Sequence, residues 1–335
     1  MSLLRAEGLS TWFQTDRGVL HAVSDVDLEL SRGRTLGLVG ESGSGKSVLV
    51  RSIMGIQPAA NYARFDGHVW FDGRDLRAMT AAERRRTWLR HISIVPQNTL
   101  GSLNPVLRIG TQLGEILRYR FGIGRHPAAD QATALLEQVG IPEPERRLRS
   151  YPHELSGGMR QRVAIAMALA GEPDLLIADE PTTALDVTVQ AQIVALLRKL
   201  RDERDMAMIF VSHDIAVVAS LADEIAVMYG GRIVEQAPTP ALVSAPRMPY
   251  TEALLRATPR LDQPKRTLLA VIPGRPPSMV EPQAGCAFHP RCEWAQADCA
   301  VEAPALTNGS DHHSFACWHP VEQDAVERDS VAHGR

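Results

Sequence analysis

Gly40-Glu41-Ser42-Gly43-Ser44-Gly45-Lys46-Ser47 is the stretch that decides the fold. It matches the pattern G-x-x-x-x-G-K-[ST], and it lies between an apolar run at 35–40 and a helical pattern at 47–56. In that context the pattern forms a P-loop, whose backbone N–H groups and helix N-terminus bind phosphates. The alternative, a Gly/Ser-rich linker, leaves the flanking strand and helix unexplained.

The P-loop pattern assigns chemistry to its residues. Lys46 would reach the β- and γ-phosphates of a nucleotide, and the Ser47 hydroxyl would ligate Mg²⁺. Most of the 36 basic residues are arginines, so a lysine here is mildly informative, because an ammonium and a guanidinium are not interchangeable in a tight loop. The predicted nucleotide-binding residues are Gly40, Ser42, Gly43, Ser44, Gly45, Lys46, Ser47 and Val48.

Apolar runs alternate with helical patterns through the first 238 residues, which predicts an α/β fold with a mainly parallel sheet. The predicted strands include 35–40, 91–96, 175–179 and 208–212, and the predicted helices include 156–170, 187–201 and 215–221. After Pro238, Pro and Ala increase. The predicted organisation is a first domain over 1–238 with a helical subdomain at about 98–158, a C-terminal domain over 239–320, and disorder over 321–335.

Composition excludes several classes of protein. The chain has 36 basic and 39 acidic residues and a formal net charge of −3, which argues against a protein that coats nucleic acid. The longest apolar runs fall short of the ~18 residues that cross a bilayer, and the first residues do not resemble a signal peptide. We therefore expect a cytosolic chain that can still dock on a membrane protein.

An apolar run at 175–178 ends in Asp179 and Glu180. Because open α/β sheets bind ligands at the carboxyl ends of their strands, Asp179 can hold Mg²⁺, mostly through water. Glu180 can orient or deprotonate the attacking water. The alternative is a surface acidic pair that caps the next helix.

Ser156-Gly157-Gly158 opens a helix and so forms a second anion-binding N-terminus. One chain needs two such sites for one triphosphate only if the second serves a neighbour. Together with the P-loop and the acidic pair, this stretch resembles the signature motif of ABC-type ATPases, and the resemblance covers about residues 1–238. In that family two nucleotide-binding domains sandwich two ATPs, each between the P-loop of one domain and the signature of the other. The alternative for Ser156-Gly157-Gly158 is an ordinary helix start with a glycine cap and no ligand.

The resemblance implies further roles and adds an antiparallel β edge to the predicted fold. Gln97 is similar to the Q-loop glutamine that contacts Mg²⁺ and faces the transmembrane partner. Asp186 is similar to the D-loop aspartate that crosses the dimer interface. His213 is similar to the switch histidine beside the γ-phosphate. Phe13 is similar to the aromatic residue that stacks on adenine; Trp12 is a substitute, and one of the two is expected in the core.

Four further stretches resemble the dipeptide/oligopeptide importer branch: 155–162, 99–105, 249–255 and 285–292. Immediately before the third, Met248 stands where the branch has the His of a His-Pro-Tyr motif. The branch implies an ATP-hydrolysing subunit peripheral to the cytoplasmic face of the membrane. Its implied partners are a second, related ABC ATPase subunit, two transmembrane permease subunits and an extracytoplasmic peptide-binding protein, with no nucleic acid.

Other functions stay open at this point. An importer of nickel, glutathione or another small solute has the same ATPase motifs, whereas a sugar or ion importer does not explain the cysteine-bearing tail. A non-transport ABC protein usually has two ATPase units or a long inserted arm, and here only residues 98–154 separate Gln97 from Leu155. A P-loop kinase does not explain Ser156 to Gly158.

The four cysteines, Cys286, Cys292, Cys299 and Cys317, are all in the tail, with spacing C-x5-C-x6-C-x17-C. Structural disulfides are rare in the cytosol, so this grouping suggests a metal or a cluster. The spacing matches neither a zinc ribbon nor the ferredoxin run. The family resemblance implies a [4Fe–4S] cluster; zinc and reduced structural cysteines remain alternatives. Because the cysteines lie outside the ATPase motifs, we expect their role to be structural.

Overall fold

The computed structural model describes residues 2–56, 63–183, 185–258, 270–280, 284–309 and 312–321. The strands in this part of the chain are β1 (Ser2–Thr15), β2 (Gly18–Ser31), β3 (Thr35–Val39), β4 (Ala63–Phe71), β5 (Arg74–Asp75), β6 (Ile92–Val95), β7 (Leu175–Asp179), β8 (Ala207–Ser212), β9 (Glu224–Tyr229), β10 (Arg232–Pro238), β11 (Thr307–Asn308) and β12 (Ser314–Phe315). The disorder predicted for 321–335 falls, apart from Val321, outside the described residues.

The helices of the described residues follow the same order. They are α1 (Lys46–Ile53), α2 (Ala81–Arg90), α3 (Thr99–Ser102), α4 (Ile109–Phe121), α5 (Arg125–Gln138), α6 (Pro144–Leu148), α7 (Gly157–Leu169), α8 (Val187–Arg204), α9 (Ile215–Ala219), α10 (Thr239–Ser244) and α11 (Pro249–Arg256). Within these residues, none of the helices combines the length and the apolar composition needed to cross a membrane.

The chain folds into two compact units, each built from separate stretches of sequence. The first unit consists of residues 1–4, 30–35 and 70–211, and the second of residues 5–29, 36–69 and 212–335. The predicted domain boundary at Pro238 stays a prediction.

The first unit contains a parallel β-sheet segment in the order β6-β7-β8. Ile92 is in register with Leu175, and Asp179 with Val211. All residues of β7 and β8 are buried, as the continuous apolar runs predict. Because the three strands are parallel, their carboxyl ends lie at one edge, where Gln97 and Glu180 follow β6 and β7.

Helices dominate the stretch between β6 and β7, as predicted. Helix α4 packs on α5, and α5 packs on α7. Their contact is apolar, since Leu113, Leu136 and Val163 are fully buried. Burial of these apolar side chains stabilises helices that, at 13 and 14 residues for α4 and α5, are marginal on their own.

In the second unit, β3 pairs in parallel with β9, and β9 pairs antiparallel with β10. The C-terminal strand β12 adds antiparallel to β10, with Glu235 opposite Phe315, and β11 adds to β12. The tail therefore extends the sheet. In a separate sheet β1 lies between β2 and β4.

The predicted fold class is confirmed: α/β, with parallel strand pairing in each unit, antiparallel additions and a helical stretch. The strands predicted at 35–40, 91–96, 175–179 and 208–212 all form, within a residue or two of their predicted ends. The two 14-residue strands β1 and β2 were not predicted individually.

Candidate functional site

The P-loop follows a fully buried strand, β3, and leads directly into α1, as the pattern predicts. Two of its glycines are required. Gly40 has φ 157° and Gly45 has φ 106°, and a Cβ on either would collide with a backbone oxygen, that of Met228 or of Ala22. Residues with side chains rarely adopt such conformations, so the loop path depends on glycine at both positions.

The lysine of the P-loop points back into its own loop. Lys46 is 4% exposed, and its Nζ donates hydrogen bonds to the carbonyl oxygens of Gly40 at 2.7 Å and of Glu41 at 2.8 Å. Ser42 and Gly43, at the tip of the loop, are exposed. The loop thus holds a buried ammonium group under an accessible tip, an arrangement suited to a polyphosphate.

The acidic pair lies at the end of β7. Asp179 is 2% exposed, and Glu180 follows with φ 47°, its N–H donating to the Val211 carbonyl at 3.0 Å. The Gln97 side-chain amide donates to Glu180 Oε2 at 2.7 Å, and the Thr183 hydroxyl donates to the same oxygen at 2.9 Å. Two predicted site residues, Gln97 and Glu180, are therefore in direct contact.

Ser156 is the N-cap of α7, and its Oγ accepts the Met159 N–H at 3.3 Å. Both Ser156 and Gly157 are exposed. A Cβ on Gly157 would meet Leu185 only at 3.8 Å, an ordinary contact, whereas one on Gly158 would press on Val189 at 2.9 Å. The helix N-terminus predicted to bind an anion is thus open at the surface of the first unit.

Two other predicted residues follow strand or loop ends. Asp186 is the N-cap of α8, its Oδ1 accepting the Val189 N–H at 2.9 Å. This capping bond gives Asp186 a local structural role besides the one predicted for it. His213 is exposed and precedes Asp214, the N-cap of α9.

The predicted adenine-stacking position lies on β1. Both Phe13 and Trp12 are half-buried, and Trp12 meets His21 edge to face at 6.2 Å between ring centroids. The expectation that one of these two aromatics is in the core is wrong. The reason is that both lie near the C-terminal end of β1, where the burial of the strand declines.

The four cysteines of the tail surround one cavity. None of the four forms a disulfide; Cys299 is buried and the other three are half-buried. Backbone turns hold the group together: Cys286 N–H donates to the Cys299 carbonyl at 2.8 Å, and Cys292 N–H donates to the His289 carbonyl at 3.2 Å. The remaining lining is largely apolar and includes Phe288, Trp294, Pro304 and Trp318.

Burial disfavours the thiolate forms of three of these cysteines. It raises the pKa of Cys286 and of Cys292, and it raises the pKa of Cys317 to about 12. Repulsion from the neighbouring cysteines acts in the same direction, since thiolates at Cys286, Cys292 and Cys299 would each oppose a charge on Cys317. A cation would remove both penalties, which is the electrostatic property of a cysteine metal site.

An acid–imidazole pair borders this cysteine cluster. His319 Nε2 lies 2.9 Å from both carboxylate oxygens of Asp298, and a hydrogen bond from His319 lowers the pKa of Asp298. Asp298, Cys299 and His319 place their ligand atoms within 4.8 Å of one another. Sequence reasoning missed this pair because residues 298 and 319 are far apart along the chain.

Two family models and several known proteins match this chain. The chain matches the family described as ABC transporter over residues 23–183 and the family described as oligopeptide/dipeptide transporter, C-terminal region, over residues 234–299. A putative peptide import ATP-binding protein of Brucella abortus is 47% identical over 95% of this chain and 98% of its own length. A probable peptide ABC transporter ATP-binding protein of Sinorhizobium fredii is 42% identical over 96% of each chain.

Solved structures agree at the level of the fold. A dimeric ATP-binding cassette in a post-hydrolysis state, bound to ADP and phosphate, has a TM-score of 0.63 at 26% identity and covers 70% of this chain and 98% of its own. A component of an ABC transporter complex from Clostridium perfringens has a TM-score of 0.60 at 27% identity, covering 72% of this chain and 90% of its own.

Proposed function

The chain belongs to the ABC transporter family as an ATP-hydrolysing subunit, and we propose that it powers the import of di- or oligopeptides. The observation that carries this proposal is the presence, in one chain, of the ABC transporter match and the oligopeptide/dipeptide transporter tail. The Brucella and Sinorhizobium relatives, whose names both specify peptide, support it along nearly the whole sequence.

ATP binding begins at the P-loop. Lys46 exchanges the carbonyl oxygens of Gly40 and Glu41 for phosphate oxygens, a change of partner that keeps its buried ammonium compensated. The N-terminus of α1 adds positive potential at the phosphates. Ser47, Asp179 and Gln97 would hold the Mg²⁺ that accompanies ATP, and Phe13 would stack on adenine.

Hydrolysis requires a positioned base. Hydrogen bonds from Gln97 and Thr183 to the same carboxylate oxygen fix the orientation of Glu180. Glu180 takes a proton from the attacking water as the water oxygen bonds to the γ-phosphorus and the bond to the ADP oxygen breaks. His213 stabilises the γ-phosphate, and ADP and phosphate are released.

The signature residues serve a second subunit. Ser156 and Gly157 are exposed, so they can bind an ATP that is held by the P-loop of a neighbour. The dimeric state of the related cassette supports this arrangement. A γ-phosphate that bridges two subunits favours the closed dimer, and its loss on hydrolysis reopens the dimer.

We assign the remaining partners from the importer branch. The second ATPase subunit is related but different, and the pair lies peripherally on the cytoplasmic face of the membrane beneath two permease subunits. An extracytoplasmic peptide-binding protein delivers the substrate. The Q-loop region around Gln97 transmits the ATP-driven motion to the permease subunits.

The tail cysteines fit a metal centre. Four thiols line one cavity, and the pKa values of Cys286, Cys292 and Cys317 are raised by burial and by neighbouring cysteines, so a cation would favour their thiolate forms. A [4Fe–4S] cluster, when bound, would link these four cysteines and so hold together the turns that carry them. Cys286, Cys292, Cys299 and Cys317 would hold it.

Metal analysis of anaerobically purified protein tests this assignment. We expect brown protein with about four irons and four sulfides per chain, as that cluster type requires. One zinc per colourless chain would replace the iron assignment with zinc. Metal-free protein with four titratable thiols would remove the metal site and leave the ATPase assignment intact.

Transport itself is tested by peptide uptake. A strain that lacks this chain should lose uptake of labelled di- or oligopeptides, and the wild-type chain should restore it, whereas Glu180→Gln should not. Restored uptake of nickel or glutathione with no effect on peptides would contradict the peptide assignment while leaving the ATPase assignment in place.

A further inference from the structure

One P-loop residue, Glu41, is held by residues from the C-terminal part of the chain. Its backbone N–H donates to the Tyr250 hydroxyl at 2.9 Å. Its carboxylate accepts two hydrogen bonds from Arg291, from Nη1 at 2.6 Å and from Nη2 at 2.9 Å. Its carbonyl oxygen accepts the bond from Lys46. The side chain, the N–H and the carbonyl of Glu41 thus all form hydrogen bonds, and the first two bond to residues of the tail.

Arg291 is itself fixed. Its side chain is 4% exposed, its Nε donates to the Pro273 carbonyl at 2.7 Å, and its Nη1 also donates to the Tyr229 hydroxyl at 3.1 Å. The hydrogen bonds to Glu41 raise the pKa of the guanidinium, which stays charged at every physiological pH. A bidentate arginine–carboxylate pair whose guanidinium is buried has a defined geometry that a flexible surface pair lacks.

Tyr250 is fixed by aromatic packing. It is fully buried, and its ring lies 4.4 Å from the Tyr229 ring and 5.3 Å from the Phe288 ring, between centroids. Tyr229 and Phe288 also flank Arg291, whose guanidinium carbon is 5.9 Å from each ring centroid. The Tyr250 hydroxyl, which accepts the Glu41 N–H, and the Arg291 guanidinium therefore belong to one packed cluster.

The same turn positions Arg291 and two of the cysteines. Arg291 ends the 3₁₀ turn His289–Arg291 and immediately precedes Cys292. His289 N–H donates to the Cys286 carbonyl at 3.0 Å, and Cys292 N–H donates to the His289 carbonyl. Displacement of this turn would therefore move the guanidinium away from Glu41.

We propose that Arg291 and Tyr250 are positioning residues for the P-loop, through which the cysteine-bearing tail sets the ATP affinity of its own subunit. The proposal rests on the ATP-binding function above. By holding Glu41, the two residues keep the Gly40 and Glu41 carbonyls in the geometry from which Lys46 is delivered to the phosphates. ATP therefore binds to a loop that is already ordered, so binding does not include the loss of conformational entropy that ordering the loop would cause.

The test measures Mg-ATP binding to the full-length chain for Arg291→Gln, Glu41→Gln, the double variant and Tyr250→Phe. We expect each Arg291 and Glu41 variant to weaken ATP binding about tenfold, with the double variant no weaker than the weaker single variant, because both remove one interaction. Tyr250→Phe removes only the acceptor for the Glu41 N–H, and it should weaken binding about threefold and speed hydrogen exchange of that amide.

Arg146→Gln is the matched control, since Arg146 also pairs with a carboxylate, Glu143 at 3.0 Å, but lies on α6, outside the C-terminal part of the chain. It should bind ATP as the wild type does. In the assembled transporter, KM for ATP should rise more in Arg291→Gln than kcat falls, a split that general loss of folded protein does not produce.

Two results overturn the proposal: folded Arg291 and Tyr250 variants that bind ATP within twofold of the wild type, or single-variant losses that multiply in the double variant. If a variant unfolds, Tyr250→Phe, which deletes one hydroxyl, decides the question. A wild-type chain that fails to bind ATP would instead contradict the proposed function, so the two failures are distinguishable.

Discussion

The side-chain amide of Gln97 donates a 2.7 Å hydrogen bond to Oε2 of Glu180. The two residues follow neighbouring parallel strands, β6 and β7, so the sheet itself brings them together. The contact joins the residue proposed to face the permease subunits to the residue proposed to activate water. Movement of the Q-loop can thus reach the carboxylate without any intermediate residue.

Loss of this contact should slow hydrolysis. Gln97→Ala retains the Thr183 hydroxyl as a donor to Glu180 Oε2, and we expect turnover in the assembled transporter to fall about tenfold, as for a base that is present but less well oriented. ATPase assays with parallel nucleotide-binding measurements check this. Gln131→Ala, on an exposed position of α5, is the control and should be silent. Unchanged turnover in Gln97→Ala would show that the hydrogen bond has no part in orienting the base.

Lys46 should not tolerate arginine. The ammonium sits at 2.7 and 2.8 Å from two carbonyl oxygens in a buried position, and a planar guanidinium fork does not fit a site made for a point charge. We expect Lys46→Arg to weaken Mg-ATP binding at least about tenfold. Lys199→Arg, at an exposed lysine paired with Glu203, is the matched control. Wild-type affinity in Lys46→Arg would contradict the proposed phosphate contact.

A charge at Gly157 tests the shared site. The added side chain has room, since the nearest atom to its Cβ is 3.8 Å away, and a carboxylate suits a helix N-terminus. Against a polyphosphate, however, like charges at ~4 Å repel by about 4 kcal/mol at an effective dielectric constant of 20. Gly157→Asp should therefore bind ATP normally as an isolated subunit yet fail to close the dimer.

Gly157→Ala provides the control for that variant, since it adds a Cβ without charge and should close the dimer. Sedimentation or light scattering with ATP and a hydrolysis-deficient partner measures closure. Loss of ATP affinity in the isolated Gly157→Asp subunit would argue that the signature serves its own P-loop.

Asp186 has two candidate roles that substitution can separate. As the N-cap of α8 it should contribute about 1 kcal/mol to stability, so Asp186→Ala should lower the free energy of unfolding by that amount, while Asp186→Asn should retain the cap. If Asp186 also acts across the dimer interface, Asp186→Asn should lower ATPase activity at normal stability. Normal activity in a stable Asp186→Asn variant would leave capping as its role.

The sequence predicted those parts of the site that are encoded locally. The P-loop could be located because strand, glycines, lysine and helix are contiguous, and the acidic pair because an apolar strand leads directly to it. Gln97 and Glu180 were each assigned a role, but their hydrogen bond depends on which strands are neighbours, and periodicity does not encode that order.

Contacts between residues far apart in the sequence could not be predicted, because periodicity does not encode which segments become neighbours. Glu41 and Arg291 are far apart along the chain, and in the sequence Glu41 is an unspecified position of the P-loop pattern. The cysteines lie outside the ATPase motifs in the sequence, which predicts a structural role for them, and the tail that carries them contacts one of those motifs directly. The cysteines single out the tail in the sequence as a candidate metal-binding segment, but they do not predict that the tail contacts Glu41.

Glu180→Gln in the assembled transporter tests the central claim most directly. The P-loop lysine of the second ATPase subunit should be replaced by alanine, so that the measured hydrolysis belongs to this chain's base. The amide retains the size of the carboxylate but cannot accept a proton, so Mg-ATP binding should persist, turnover should fall at least ~10²-fold, and the closed dimer should accumulate. Turnover at the wild-type rate in this background would contradict the assignment of Glu180 as the residue that activates water for ATP hydrolysis.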